Sequence, residues 1–398
     1  MLNVNIRNYF LQELSKITYG SIKIFTPEGE LITYISKGAD KNSSTELTEL
    51  VLYNWSVIKN LFFKGINAII QDYSIGKFKT NNLYNLLSFL LLNKFIKYTP
   101  VHKIYNFLFI KNMSNNMNNY LSNLTNFSNG YIDYTNLING LIDDSHNSNA
   151  LIDILEFSCN SNNFLKVFLN SIIVPAKIKS NSYKITAVTT ASNLENMHSV
   201  LAKFNNSYEY QQGQYSQNKH HNVRHNIASN IFVYNNKTYQ DLIKANIKYD
   251  YIVLADIFNM QALRQKFFNY IAKLLKSNGK FLLRTLVIND NNKYQNSAAI
   301  NLNVNMRFFE LNLLSQSRLE RYLQKSNLVC IASRVIDVDY VKFFEHYLNT
   351  NCLILNSMLN YRINIDNKIV YFYISLYYLA LINKTISCIE YEIIINED

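Results

Sequence analysis

The chain has 398 residues, and 39 Lys and Arg against 28 Asp and Glu give a formal net charge of +11. Hydrophobic residues make up 48% and aromatics 14%, which excludes wholesale disorder, while 9 Gly and 3 Pro exclude collagen-like or Pro-rich architecture. At about 100–200 residues per domain the length suggests two or three domains, and the basic balance suits an anionic partner without choosing between acidic lipid and nucleic acid.

In chain order, residues 1–19 mix charged and apolar side chains with no apolar core before a small-residue cleavage site, so no signal peptide is expected. Residues 19–25 alternate, Thr26-Pro27-Glu28-Gly29-Glu30 supplies turn chemistry, and residues 31–35 return, which predicts a hairpin. Helical apolar spacing follows over 51–63 and 83–98. Residues 111–149 are Asn/Ser-rich and weakly periodic, and they are expected to link an N-terminal α+β domain (1–110) to a second domain (150–398). In that second domain strands at 150–157, 183–189, 230–234, 251–255 and 280–287 alternate with helices at 163–169, 194–204 and 261–275. A Ser277-Asn278-Gly279 turn precedes the last strand. The pattern predicts an α/β fold, a mostly parallel sheet with helices on both faces. Ligands in such folds bind at the carboxyl ends of the strands.

Several function classes drop out. Cys159, Cys330, Cys352 and Cys388 are widely spaced and form no paired motif, as expected of reduced buried thiols in a cytosolic protein. The longest apolar runs, 86–92 and 369–382, fall short of the ~20 residues that span a bilayer. His220, His221 and His225 lie in a Gln/Asn-rich loop without cysteine, which favours a solvated loop over a metal site. Asp143-Asp144 beside Ser145 and His146 suits a loop or helix cap. No phosphate loop or nucleophile elbow occurs. The basic residues are scattered rather than gathered with aromatics on one element, so nucleic-acid binding is not expected.

The segment Tyr251-Ile252-Val253-Leu254-Ala255-Asp256-Ile257-Phe258, a helix, then Leu274-Leu275-Lys276-Ser277-Asn278-Gly279-Lys280 resembles the second half of a class I S-adenosylmethionine methyltransferase. Met306-Arg307-Phe308-Phe309, Ser315-Gln316-Ser317 with Leu319, Asp339-Tyr340 and the Tyr-rich helix from Ile369 follow in order. Gly20-Ser21, Trp55, Tyr73 and Gly76-Lys77-Phe78 precede them. Over nearly the whole chain this order is similar to that of the cyclopropane-fatty-acyl-phospholipid synthase family. The resemblance implies a Rossmann-like class I methyltransferase domain with a smaller N-terminal α+β domain. It implies S-adenosylmethionine as cofactor, unsaturated phospholipid acyl chains as substrate, and a cytoplasmic protein peripheral to the inner membrane face. The oligomeric state stays open, a homo-oligomer included.

Site residues follow from the resemblance position by position. The family's acidic residue and glycine-rich cofactor turn fall on Glu156, Ser158, Cys159, Asn160 and Asn162, where Glu156 and Cys159 match and every glycine is replaced. Asn tolerates a left-handed backbone better than most residues, but its side chain occupies cofactor space. After the next strand Thr189 and Glu195 fall on cofactor-lining positions, and Thr238-Tyr239 on the adenine-side segment, with Thr238 at an acidic position. The family's base is a bound bicarbonate. Its holders fall on Asn259 (a Glu position), Arg284 (a His position) and Tyr340 (retained), and its Cys position falls near Tyr134-Thr135-Asn136. Three readings remain open, of which the first two are a methyltransferase with an eroded cofactor loop and a catalytically inactive lipid- or partner-binding descendant. A methyltransferase acting on a small molecule, with no need of a membrane, is the third.

Overall fold

The structure, a computed structural model, describes residues 2–36, 47–93, 95, 134, 138, 151–157, 164–165, 167–168, 183–189, 226–227, 231–235, 239–244, 246–255, 264–290, 313–357 and 365–396. The chain forms two compact units that interleave along the sequence. The first comprises Met1–Tyr120, Ile288–Leu313 and Val341–Ile386, and the second Leu121–Val287, Leu314–Tyr340 and Ser387–Asp398.

The first unit opens with helix α1 (Leu2–Leu14) and strands β1 (Ser21–Phe25), β2 (Leu31–Ile35) and β3 (Thr48–Leu52). Helices α2 (Ser56–Lys64) and α3 (Ile66–Ser74), strand β4 (Phe78–Thr80) and helix α4 (Leu83–Leu92) follow. Its sheet runs β2-β1-β3-β4, with β1 parallel to β3 and the outer pairs antiparallel. The predicted hairpin is β1–β2, closed by the Thr26 amide on the Glu30 carbonyl at 2.9 Å and by Gly29 at φ +85°. The helix expected from residue 51 begins later. Val51 and Leu52 complete β3, whose alternate residues Thr48, Leu50 and Leu52 are buried, and a strand feeding directly into a helix merges two periods into one apolar run. Trp55 caps α2 from a buried position, and its indole donates to Glu28 at 2.8 Å, which lowers that carboxyl's pKa.

The second unit carries β5 (Ile152–Phe157), β6 (Tyr183–Thr189), β7 (Asn226–Ile227), β8 (Ile231–Asn235), α5 (Tyr239–Lys244) and β9 (Tyr249–Leu254). Then come α6 (Gln265–Leu274), β10 (Leu275–Ile288), β11 (Leu314–Ser315), α7 (Gln316–Gln324) and β12 (Leu328–Val335). Helices α8 (Asp337–Ser357, of the first unit from Val341) and α9 (Ile365–Ile382, of the first unit) intervene before strand β13 (Ile386–Ile395) returns to this sheet. The sheet order is β12-β13-β10-β9-β5-β6-β8-β7, with β11 on β10. β8, β6, β5, β9 and β10 are parallel, whereas β12 pairs β13 antiparallel and β7 pairs β8 antiparallel. This is the expected α/β fold, a doubly wound, Rossmann-like and mostly parallel sheet. From β5 the chain winds outward through β6 and β8, then crosses to β9 and β10 on the other side. The winding therefore reverses between β5 and β9.

Burial on both faces explains why the central strands read as near-continuous apolar runs. Ile152, Ile154, Ile185, Tyr251 and Val253 pack on one face with Phe164 and Phe168. Leu155, Phe157, Ile252 and Leu254 pack on the other, against Phe267, Phe268 and Ile271 of α6. Odd and even positions of one strand thus feed two cores.

Ser277-Asn278-Gly279 does not separate helix from strand as expected. β10 starts at Leu275, which pairs with Tyr249, and the register resumes with Lys280 on Tyr251, so residues 276–279 bulge opposite Asp250 alone. A Cβ on Gly279 would lie 2.9 Å from the Tyr249 carbonyl oxygen, so the bulge requires glycine.

Within the first unit α9 packs against α3 and α4. Its buried Ser375 hydroxyl donates to the Tyr371 carbonyl at 2.8 Å, keeping a polar group satisfied inside an apolar helix. Among the described residues no helix is long and apolar enough to cross a membrane.

Candidate functional site

The carboxyl ends of β5 and β9 border the winding reversal, where a doubly wound sheet opens a crevice, and β6 lies beside β5. Glu156, the penultimate residue of β5, stands in register with Ala187 of β6 and Val253 of β9 and is 4% exposed. Thr189 ends β6, in register with Asn235 of β8, and Tyr239 opens α5. Three of the implied cofactor positions thus fall at or just past strand ends. Ser158, Cys159, Asn160, Asn162, Glu195, Thr238 and Asn259 lie outside the described residues, as do His220, His221, His225, Asp143 and Asp144.

The positions implied for chemistry, Arg284 and Tyr340, share one buried cluster. Leu283 of β10 pairs with Leu254, so Arg284 follows at the level where β9 ends. Its side chain is 1% exposed. The Nε atom donates to Glu390 Oε2 of β13 at 2.6 Å, and the guanidinium lies over the Tyr134 ring, 4.4 Å from its centre. Glu390 is in register with Arg334 of β12, whose Nη2 reaches Oε1 at 3.4 Å. Burial opposes the charge on Arg284, but Tyr340, Tyr134 and Glu390 outweigh it and hold the guanidinium above the ordinary arginine pKa. Tyr340, 1% exposed, stands in the first turn of α8 beside Asp337 and Asp339.

The neighbouring Cys388 is a buried thiol pushed well up by burial, with Arg284 opposing, and its amide donates to Asp337 at 2.6 Å. A thiol so shifted is not a nucleophile near neutral pH. Among the described residues Cys330 and Cys388 are free thiols; Cys388 is buried, whereas Cys330, expected to be buried, is partly exposed at β12.

Sequence reasoning missed Glu390. It lies 106 positions from Arg284. The one available signal was two acids, Glu390 and Glu392, in the otherwise apolar strand Ile386–Ile395, where a buried carboxylate needs a cation; Glu392 meets Lys280 at 3.0 Å. Tyr134 was noted only for not being a cysteine, yet it supplies the aromatic face under Arg284.

At the amino ends of the same strands a second cluster is solvated. Lys276 reaches Asp250 at 2.7 Å and Asp153 at 3.1 Å, and Asp250 also accepts the Asp153 amide at 2.8 Å. Among the described residues no group of His, Cys, Asp and Glu could hold a metal ion.

No family model matches this chain, and no curated protein matches it in sequence. Similar solved structures include the cyclopropane synthase MmaA2 from Mycobacterium tuberculosis, at 11% identity and a TM-score of 0.43, covering 64% of this chain and 82% of that one. Another is geranyl diphosphate C-methyltransferase from Streptomyces coelicolor, at 12% identity and a TM-score of 0.39, covering 65% and 78%. Likeness at this distance carries no substrate and no residue role to the present chain.

Proposed function

We propose that the second unit binds S-adenosylmethionine at the carboxyl ends of β5 and β6 and delivers its methyl carbon as a methylene to the double bond of a phospholipid acyl chain, one methyl proton passing to a base as the ring closes and the demethylated cofactor leaving, in the manner of cyclopropane-fatty-acyl-phospholipid synthases. The observation that carries the cofactor half of this reading is Glu156, a buried carboxylate at the winding reversal of a doubly wound sheet. A carboxylate there fits a ligand that presents ammonium or hydroxyl donors, which S-adenosylmethionine does. When bound, that cofactor supplies an electrophilic methyl group. The chain's own part is to orient it through Glu156 and to keep water from the reacting carbons. The substrate half rests on the sequence resemblance and on the net charge of +11, since each basic residue near an anionic membrane contributes about 1 kcal/mol. Cytoplasmic residence, peripheral at the inner membrane face, belongs to the same reading.

A second reading, a non-catalytic descendant, is favoured by one specific observation. Arg284 is already engaged by Glu390 and covered by Tyr134, so its charge is committed within the protein rather than held open for a bicarbonate base.

Calorimetric titration of the folded chain with S-adenosylmethionine and its demethylated product separates the two. The proposal expects saturable binding of both, weakened about tenfold or more by Glu156→Ala through loss of a charge-assisted hydrogen bond. Absence of binding in a well-folded sample overturns it in favour of the non-catalytic reading. Co-sedimentation with anionic vesicles at low and high salt tests the substrate surface: binding that screening weakens supports a lipid, and no binding points to a small-molecule acceptor.

A further inference from the structure

The first unit holds a cavity of about 460 Å3 walled by α4, α8 and α9, within the roughly 300–1,000 Å3 of small-ligand sites. It is lined by Tyr84, Tyr371, Tyr378, Glu345, Asn85 and Asn349, with Glu345 and Asn349 exposed at its mouth. Tyr84 and Tyr378 meet at 5.0 Å between ring centres and 59° between planes, so the two rings pack against each other at one side of the space. Glu345 stands one helical turn from Leu348 and Asn349 on α8, on the side that faces the cavity. Among the described residues it makes no ion pair, and no lysine, arginine or histidine lines the space.

The electrostatics of such walls have one sign. Aromatic faces carry the negative lobe of the ring quadrupole. Glu345 adds a full negative charge whose field reaches both phenols: burial first, then Tyr378 and Glu345, push Tyr84 up to about 12, and burial then Glu345 push Tyr378 up. An anion is repelled here. A hard divalent ion needs six or more oxygen ligands, and one carboxylate with amides does not supply that cage. A soft monocation with an apolar periphery fits both the rings and the carboxylate.

We propose that this cavity binds a substituted ammonium group. The site uses only first-unit residues and does not rest on the methyltransferase reading. The same chemistry is carried by a free solute and by a choline lipid headgroup.

The test uses the full chain, titrated calorimetrically with choline and with 3,3-dimethyl-1-butanol, which replaces the charged nitrogen by carbon. Choline is expected to bind at least about tenfold tighter than the neutral isostere, and Glu345→Gln and Tyr378→Ala to weaken it about five- to tenfold. Tyr378→Phe, which keeps the ring, should change it less than about threefold. Circular dichroism confirms that each variant is folded. Co-sedimentation on phosphatidylcholine against phosphatidylglycerol vesicles assigns the source. Choline binding without phosphatidylcholine binding marks a solute site, and phosphatidylcholine binding lost in Tyr378→Ala marks a headgroup site. Three outcomes overturn the proposal: equal affinity for the isostere, unaltered choline binding in both Glu345→Gln and Tyr378→Ala, or neither choline binding up to about 10 mM nor phosphatidylcholine binding by the folded chain.

Discussion

The two ends of the large parallel sheet carry ion clusters of the same chemical kind in opposite surroundings. At the carboxyl end Arg284 is 1% exposed and is matched by Glu390 at 2.6 Å. At the amino end Lys276 is matched by Asp250 at 2.7 Å and Asp153 at 3.1 Å, but those side chains keep between 22% and 38% of their surface in water. Distance alone would rank the clusters as equals. Burial separates them, because water and salt screen the second and not the first. A buried pair is not thereby a source of net stability. It is a commitment, since neither member can be removed alone.

The largest test of that contrast is Glu390→Gln, which leaves Arg284 buried without its carboxylate and should cost about 3–5 kcal/mol in urea unfolding. Replacing both partners together, Arg284→Met with Glu390→Leu, should recover most of that loss, and a double variant as unstable as the single one would break the comparison. Next, Gly279→Ala places a methyl group 2.9 Å from the Tyr249 carbonyl oxygen and should cost about 1–3 kcal/mol through strain at the bulge. It tests whether the amino end is held by backbone geometry more than by charge. Lys276→Met should cost about 1 kcal/mol or less after screening, and the loss should shrink at high salt, whereas that of Glu390→Gln should not.

The smallest effect is a pH dependence. Burial lowers the Lys276 pKa, but hydrogen bonds to Asp250 and Asp153 outweigh it, and the net shift is upward. A raised folded-state value means that the stabilisation is complete below the unfolded lysine value and is lost as pH rises through the folded one. Unfolding midpoints should therefore fall at strongly alkaline pH by a slightly smaller amount in Lys276→Met than in the parent chain.

Much of the fold was legible because its strands are locally consistent. Strand 183–189 was read residue for residue, and the 19–35 hairpin from its turn chemistry. What failed did so where distant pairing overrode local chemistry. Ser277-Asn278-Gly279 has the composition of a turn, yet β9 pairs on both sides of it and converts it into a bulge. Val51 and Leu52 fit a helical spacing, yet β4 captures them as strand. Arg284 and Tyr340 were singled out only through family resemblance, and the structure places both in one buried cluster. Glu390 and the role of Tyr134 were not legible, because a contact across 106 positions leaves no spacing to read.

The interleaving of the two units has a consequence for synthesis. Among the described strands β13 comes after all the others in sequence, but it occupies an inner place in the sheet, between β10 and β12. A ribosome adding about 5–20 residues per second takes roughly 5–20 s to cover the 106 positions from Arg284 to Glu390. Throughout that interval the nascent sheet has an open edge and an arginine whose counter-charge does not yet exist. The second unit therefore completes its core only once β13 has been made, and a chain lacking β13 would leave that edge exposed to whatever strand reached it first.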